Sequence, residues 1–70
     1  MKLDRNTKRL VKPGDVIRFK YGDAYTVLTV ITGRNNSVSY TLQDIRTKQV
    51  IYCYPSSDCY GADIVSNNAE

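Results

Sequence analysis

The sequence predicts an all-β domain, a small barrel of five strands preceded by a basic arm. After residue 12 apolar and polar residues alternate, and no stretch of ten residues has helical periodicity. Short strands joined by tight turns are typical of small barrels, because closure removes the unpaired edges of an open sheet. At 70 residues the chain has room for one domain. We predict a basic N-terminal arm over residues 1–12, the barrel over residues 13–65 and a frayed tail over residues 66–70.

The arm contains few apolar residues, and we expect at most a short helical turn docked by Leu10. Pro13 and Gly14 then form a turn. The first strand, over residues 16–21, places Ile17, Phe19 and Tyr21 on one face, and the other face carries Val16, Arg18 and Lys20. Residues 25–32 are β-branched or aromatic almost throughout, which is typical of a central strand.

The loop at residues 33–36 contains two asparagines that tolerate positive φ, as a hairpin requires. Residues 37–43 alternate strictly, which predicts an inward row of Val38, Tyr40 and Leu42 and an outward row of Ser37, Ser39, Thr41 and Gln43. Residues 49–54 form a predicted fourth strand. Its alternation places Val50, Tyr52 and Tyr54 on one face and Ile51 and Cys53 on the other. Residues 55–58 indicate a tight turn or one turn of 3₁₀ helix, and residues 62–65 a closing strand.

Two stretches resemble the Src-homology-3-like barrel. Residues 12–19 (KPGDVIRF) are similar to the opening of many such barrels, including the KOW modules of ribosomal and transcription-elongation proteins. Residues 54–58 (YPSSD), followed by residues 62–65 (ADIV), resemble the turn and last strand that close the barrel. The resemblance covers roughly residues 12–65 and implies the fold. It does not imply binding of proline-rich peptides, because the chain has no Trp to line the groove that such ligands use.

Composition argues against several classes of function. The chain has no His and only two Cys, so we expect no metal site, no cofactor and no catalytic residues. We predict that the protein is not an enzyme and that it has no small-molecule substrate. Its aspartates lie in or beside turns, where they commonly cap the backbone. Apolar runs are far shorter than the roughly 20 residues of a membrane helix, and no secretory signal is recognisable. We therefore expect a cytoplasmic protein without membrane contact.

Charge is distributed unevenly along the chain. Residues 1–20 carry a net charge of +5 and the remaining residues a net charge of −2. This asymmetry suits an anionic partner, of which nucleic acid is the commonest for a small basic domain. The alternative interpretation is a solvated basic arm that keeps the protein in solution.

The leading hypothesis is a non-enzymatic module that binds DNA or RNA, or a nucleic-acid-processing protein. The predicted phosphate contacts are Lys8, Arg9, Lys12, Arg18 and Lys20, extended by Arg34, Arg46 and Lys48 if their loops lie alongside. Tyr21 and Tyr25 would stack or pack at the centre of this patch. Nothing in the sequence offers a recognition helix, so no base specificity is predicted.

The competing hypothesis is a small protein-interaction or inhibitory module that regulates a partner enzyme. It would use an edge strand or a tyrosine-rich rim, and the uncharged outer row of the third strand suits edge pairing. A structural subunit of a larger assembly is a third possibility. Cys53 and Cys59 could form a disulfide across their turn, although free thiols are favoured in a reducing compartment.

Overall fold

Five antiparallel strands form one open sheet in a computed structural model, which describes residues 1–65. The strands are β1 (Val16–Arg18), β2 (Ala24–Thr32), β3 (Val38–Asp44), β4 (Val50–Pro55) and β5 (Asp63–Val65). Short 3₁₀ turns at Arg34–Asn36 and Ser56–Cys59 connect β2 to β3 and β4 to β5. The all-β prediction with five strands is therefore confirmed. The predicted tail at residues 66–70 lies outside the described residues.

The strand order is β4-β3-β2-β1-β5, so β4 and β5 are the edges of the sheet. β3 pairs with β2 on one side and with β4 on the other. The expectation that β3 could pair edge to edge with a partner protein is therefore wrong, because both of its edges already carry backbone hydrogen bonds.

The inward row predicted for β3 is confirmed, because Val38, Tyr40 and Leu42 are all buried. They share the core with apolar residues from the N-terminal segment, from β1 and β2, and from the chain between Cys59 and β5: Leu3, Val11, Ile17, Val27, Cys59, Ala62 and Ile64. Thr41, predicted to point outward, is also buried. The pairing of β3 with both neighbouring strands shifts register next to Thr41, so this residue lies where both ladders are irregular.

β4 does not alternate as predicted, because it contains a bulge. Ile51 pairs with Leu42 and Tyr54 with Tyr40, so three steps along β4 match two along β3. Directly opposed residues point to the same side of a sheet, which places Ile51 and Tyr54 together on the inner face. The extra residue is accommodated at Cys53, whose φ of 55° lies in the left-handed region. Tyr52 is consequently 75% exposed.

β1 is shorter than predicted and ends at Arg18. The backbone N–H of Phe19 donates to the carbonyl of Asp23 (2.8 Å), which closes a turn over residues 19–23. Gly22 adopts a φ of 103° in this turn, a conformation that favours glycine. Lys20 therefore lies in a turn and not beside Arg18 on a strand.

Residues 1–3 run along the free edge of β5. The N–H of Leu3 donates to the carbonyl of Ala62 and the N–H of Gly61 to the carbonyl of Leu3, both at 2.8 Å. Further along, the N–H of Ile64 donates to the carbonyl of Met1 (2.7 Å). The side chain of Leu3 is completely buried. This segment, predicted to be part of a basic arm, thus contributes to the core and covers one edge of the sheet.

Residues 4–10 form a compact turn. The Asp4 carboxylate accepts the backbone N–H groups of Asn6 (2.8 Å) and Thr7 (3.0 Å), a local motif typical of aspartate. The prediction that Leu10 docks this segment is wrong, because Leu10 is 56% exposed and its neighbour Val11 is buried instead. No part of the described chain is a helix capable of spanning a membrane.

Candidate functional site

A polar cleft of about 420 Å³ lies between the turn at residues 4–10 and the loop that joins β2 to β3. We call it the basic cleft. It is lined by Arg5, Asn6, Lys8, Arg9, Asn35 and Asn36. The side chains around it are therefore three cations and three amides.

Two contacts hold the two walls of the basic cleft together. The hydroxyl of Tyr40, whose ring is buried in the core, donates to the carbonyl of Lys8 (2.7 Å). The Arg9 guanidinium donates to the amide oxygen of Asn36 in the opposite wall. Burial raises the pKa of the Tyr40 hydroxyl, so it remains protonated as the donor of this bond.

The wall of the basic cleft formed by the loop between β2 and β3 contains two asparagines, a residue type that tolerates positive φ. Asn35 and Asn36 have φ values of 57° and 62°, which confirms the predicted tolerance of positive φ in this loop. The loop is closed by a hydrogen bond from the N–H of Gly33 to the carbonyl of Ser37 (2.8 Å). Arg34 begins the same turn and brings a further cation to this end of the molecule.

The cations of the basic cleft have no acidic partners within the described chain. The salt bridge formed in residues 1–65 joins Lys2 to Asp63 (2.8 Å), and Arg5, Lys8 and Arg9 take part in none. Asp4, which is close in sequence, directs its carboxylate to backbone N–H groups. Grouped cations without acidic partners create a positive local potential that attracts anions.

Arg18 is on β1 and away from the basic cleft. It lies opposite Asp63 of β5, and the carboxylate of Asp63 is already bound by Lys2. The hydrogen bond and charge of Lys2 lower the pKa of Asp63, with smaller contributions from the N-terminal amine and Arg18. The charge of Arg18 is therefore partly balanced. Lys12 is exposed, and its backbone N–H donates to the Asp15 carboxylate (3.0 Å).

Lys20 and Tyr21 border a second cleft, of about 280 Å³, which we call the aromatic cleft. Its lining residues are Phe19, Lys20, Tyr21, Asp58, Tyr60, Gly61 and Ala62. Tyr25 packs edge-on against Phe19 with ring centroids 5.7 Å apart. Tyr25 is partly buried and packs against the core. Burial raises its pKa, with smaller contributions from Asp23 and Asp44.

Arg46 and Lys48 lie in the turn between β3 and β4. Arg46 borders a hollow of about 200 Å³ that is also lined by two carboxylates, those of Asp23 and Asp44. Backbone N–H groups of Thr47 and Arg46 hydrogen-bond the Asp44 carboxylate and lower its pKa. This turn is at the far end of β2 from the basic cleft, a distance of about 25 Å at 3.3 Å per residue.

The ten residues predicted as one patch are therefore divided among several places. Lys8 and Arg9 meet at the basic cleft, with Arg34 in the adjoining loop, whereas the other predicted cations and tyrosines lie elsewhere. Sequence reasoning missed Arg5 and the three asparagines. The spacing of Arg5 to Lys8 and Arg9, directly after a capping aspartate, is the signal that places these cations on one turn.

Cys53 and Cys59 are free thiols, the first exposed and the second buried. Burial, with a smaller contribution from Asp58, raises the pKa of Cys59 to about 12. Within residues 1–65 no three His, Cys, Asp or Glu side chains are grouped so as to hold a metal ion.

No protein-family model, curated protein or solved structure matches the chain.

Proposed function

We propose that the protein is a non-enzymatic binding module that engages nucleic acid through the basic cleft. The observation that carries this proposal is the grouping of Arg5, Lys8 and Arg9, without salt bridges in the described chain, around a cleft whose other side chains are amides. Fixed cations and amide N–H groups are the donors that bind phosphate oxygens. A cytoplasmic location is part of the proposal, because free thiols such as Cys53 and Cys59 are typical of a reducing compartment.

The contacts within the cleft leave donors available for phosphate. The amide oxygen of Asn36 accepts from Arg9, so the NH₂ group of the same amide is left to donate to a ligand. The guanidinium of Arg9 has five N–H donors and uses few of them on Asn36. No α-helix is present in the described chain to enter a major groove, so we expect contacts to the backbone of the nucleic acid and little readout of its bases.

We further infer that the sheet is curled into the Src-homology-3-like barrel that the sequence resembles. Three features support this inference. β1 lies between β2 and β5, bulges in β2 and β4 bend the strands, and the 3₁₀ turn Ser56–Cys59 packs on β3 and β4. The N-terminal segment would complete the barrel by covering the edge of β5.

The proposal is tested by measuring binding of labelled oligonucleotides while salt is increased. Three phosphate contacts predict that log K falls with log[salt] with a slope of about −2 to −3. Arg5→Gln/Lys8→Gln removes two of these cations and should reduce the slope by about 2. Arg46→Gln/Lys48→Gln is the matched control, because it removes the same charge at the opposite end of the molecule and should leave the slope close to that of the unmodified protein.

Absence of binding even at low salt would contradict the proposal. Equal loss of binding in the two double variants would show that net charge, and not the basic cleft, attracts the nucleic acid. Circular dichroism spectra of all variants must agree, so that loss of binding is not loss of folding.

A second candidate is the protein-interaction module, favoured by the outer edge of β4, which has no strand beside it within residues 1–65. The bulge at Cys53 interrupts this edge and weakens it as a template for pairing, so we rank this function second. This candidate predicts a partner protein that binds the unmodified chain and Arg5→Gln/Lys8→Gln equally well. Oligonucleotides should not displace that partner.

A further inference from the structure

The aromatic cleft contains a flat, exposed ring face. The rings of Phe19 and Tyr21 are stacked with centroids 5.3 Å apart and planes only 4° from parallel. Tyr21 is nevertheless 71% exposed, so the face of its ring that is turned away from Phe19 is in solvent. A planar ring presented in this way is a surface on which a further planar group can stack.

Contacts within the fold position this ring platform. The Phe19 ring packs against the core and is held by the edge-on contact with Tyr25. The turn that carries Tyr21 is closed by two backbone hydrogen bonds, Phe19 N–H to Asp23 O (2.8 Å) and Gly22 N–H to Phe19 O (3.0 Å). A ligand therefore does not have to order the platform, which lowers the entropic cost of binding.

The charges in the aromatic cleft suit a nucleobase better than a phosphate. Lys20 and Asp58 both line it, so their formal charges cancel, and Asp58 would repel a phosphate placed at its centre. A base is neutral and planar, and the Asp58 carboxylate can accept hydrogen bonds from its N–H groups. Lys20, next to the Tyr21 ring in sequence, can bind the phosphate of the same nucleotide.

One strand of nucleic acid can reach both clefts. Tyr60 lines the aromatic cleft and lies close enough to Tyr40 to contribute to the raised pKa of its hydroxyl. That hydroxyl donates to the carbonyl of Lys8, in the wall of the basic cleft. The longest dimension of the molecule is 33 Å. An oligonucleotide of about 12 units, within the usual site sizes for single strands, is long enough to contact both.

We propose that the aromatic cleft binds an unpaired nucleobase by stacking on Tyr21, so that the ligand of this protein is single-stranded nucleic acid. This inference rests on the proposed function and specifies its substrate. A duplex keeps the faces of its bases stacked on each other, so a duplex can occupy the basic cleft and not the aromatic one.

The test compares three labelled probes of about 12 units, a single-stranded DNA, an abasic strand with the same phosphates, and a DNA duplex. Stacking of one base predicts that the single strand binds about 5- to 150-fold more tightly than the abasic strand. Tyr21→Ala should abolish this difference and leave the abasic affinity unchanged. Tyr21→Phe should preserve it, because phenylalanine also stacks. Tyr52→Ala is the matched control, since Tyr52 is equally exposed and lies on β4, outside both clefts.

The outcomes separate this inference from the proposed function. Equal affinity for the single strand and the abasic strand overturns stacking and leaves phosphate binding at the basic cleft intact. Equal affinity for the single strand and the duplex also overturns stacking and leaves phosphate binding at the basic cleft intact. If no probe binds, the proposed function itself is wrong and the inference falls with it. If a proline-rich peptide binds the unmodified protein more tightly than the single strand does, and fails to bind Tyr21→Ala, the aromatic cleft is a peptide site and the inference is overturned.

Discussion

Replacing Leu3 with alanine tests whether the N-terminal segment is part of the folded domain. The Leu3 side chain is fully buried in the core, and its backbone pairs with Gly61 and Ala62. Leu3→Ala removes three buried carbons, at about 0.8 kcal/mol for each, and leaves a cavity that adds to this cost. We expect a loss of about 3 kcal/mol in the free energy of unfolding. A separate arm would show almost no loss, because its side chains would be in solvent.

The measurement is urea unfolding followed by far-ultraviolet circular dichroism, since the chain has no Trp for fluorescence. A domain of 70 residues has a total stability of about 4–10 kcal/mol, so Leu3→Ala should remain folded with a melting temperature about 12–24 °C lower. If it does not fold, Leu3→Val serves instead, with an expected loss of about 1 kcal/mol. Leu10→Ala is the matched control, because Leu10 is exposed, and should change stability by less than about 0.5 kcal/mol.

Equal and small effects of Leu3→Ala and Leu10→Ala would refute this reasoning. They would mean that residues 1–3 leave the edge of β5 in solution and that the side chain of Leu3 is not part of the core.

Two further predictions concern the cysteines and the salt bridge. A thiol reagent should label Cys53 rapidly in the folded protein and Cys59 only on unfolding, because Cys59 is buried and its pKa is raised to about 12. Equal labelling rates of the two cysteines without denaturant would contradict this prediction. The pKa of Asp63 is lowered below its ordinary value of 3.8 by Lys2, so the stability that this pair contributes is present above the ordinary pKa and is lost as the pH falls through the lowered one. Asp63→Asn should therefore show a smaller fall in urea midpoint than the unmodified protein between about pH 5 and pH 2, and an unchanged fall would be evidence against the pair.

The buried face of a strand could be predicted where the strand itself contains no extra residue. In β3 the alternation of Val38, Tyr40 and Leu42 indicated the correct buried row, because the extra residues of its two irregular pairings lie in β2 and β4. In β4 the same reasoning failed, since one extra residue near Cys53 moves every later side chain to the other face. Nothing in a run of apolar and aromatic residues indicates where such a bulge will form.

The N-terminal segment could not be placed from its composition. Few of its residues are apolar, and periodicity needs more positions than these to indicate a face. What fixes the segment is backbone pairing with residues 61–64, and backbone hydrogen bonds carry no signature in the sequence. This pairing places Leu3 in the core, whereas Leu10 is exposed in the turn that follows, and hydrophobicity alone cannot distinguish the two.

The candidate site follows from which cations the fold leaves without acidic partners. The charge excess of residues 1–20 predicts an anionic partner without locating it. In the folded chain Lys2 binds Asp63 and Arg18 lies opposite it, while Arg46 borders a hollow with Asp23 and Asp44, so these cations contribute less to a positive surface. Arg5 and Lys8 are close in sequence, but their cleft exists only because the core residue Tyr40 anchors their turn beside the loop between β2 and β3. Removing the Arg5 and Lys8 charges, and not an equal charge elsewhere, is therefore the change that should weaken binding of nucleic acid.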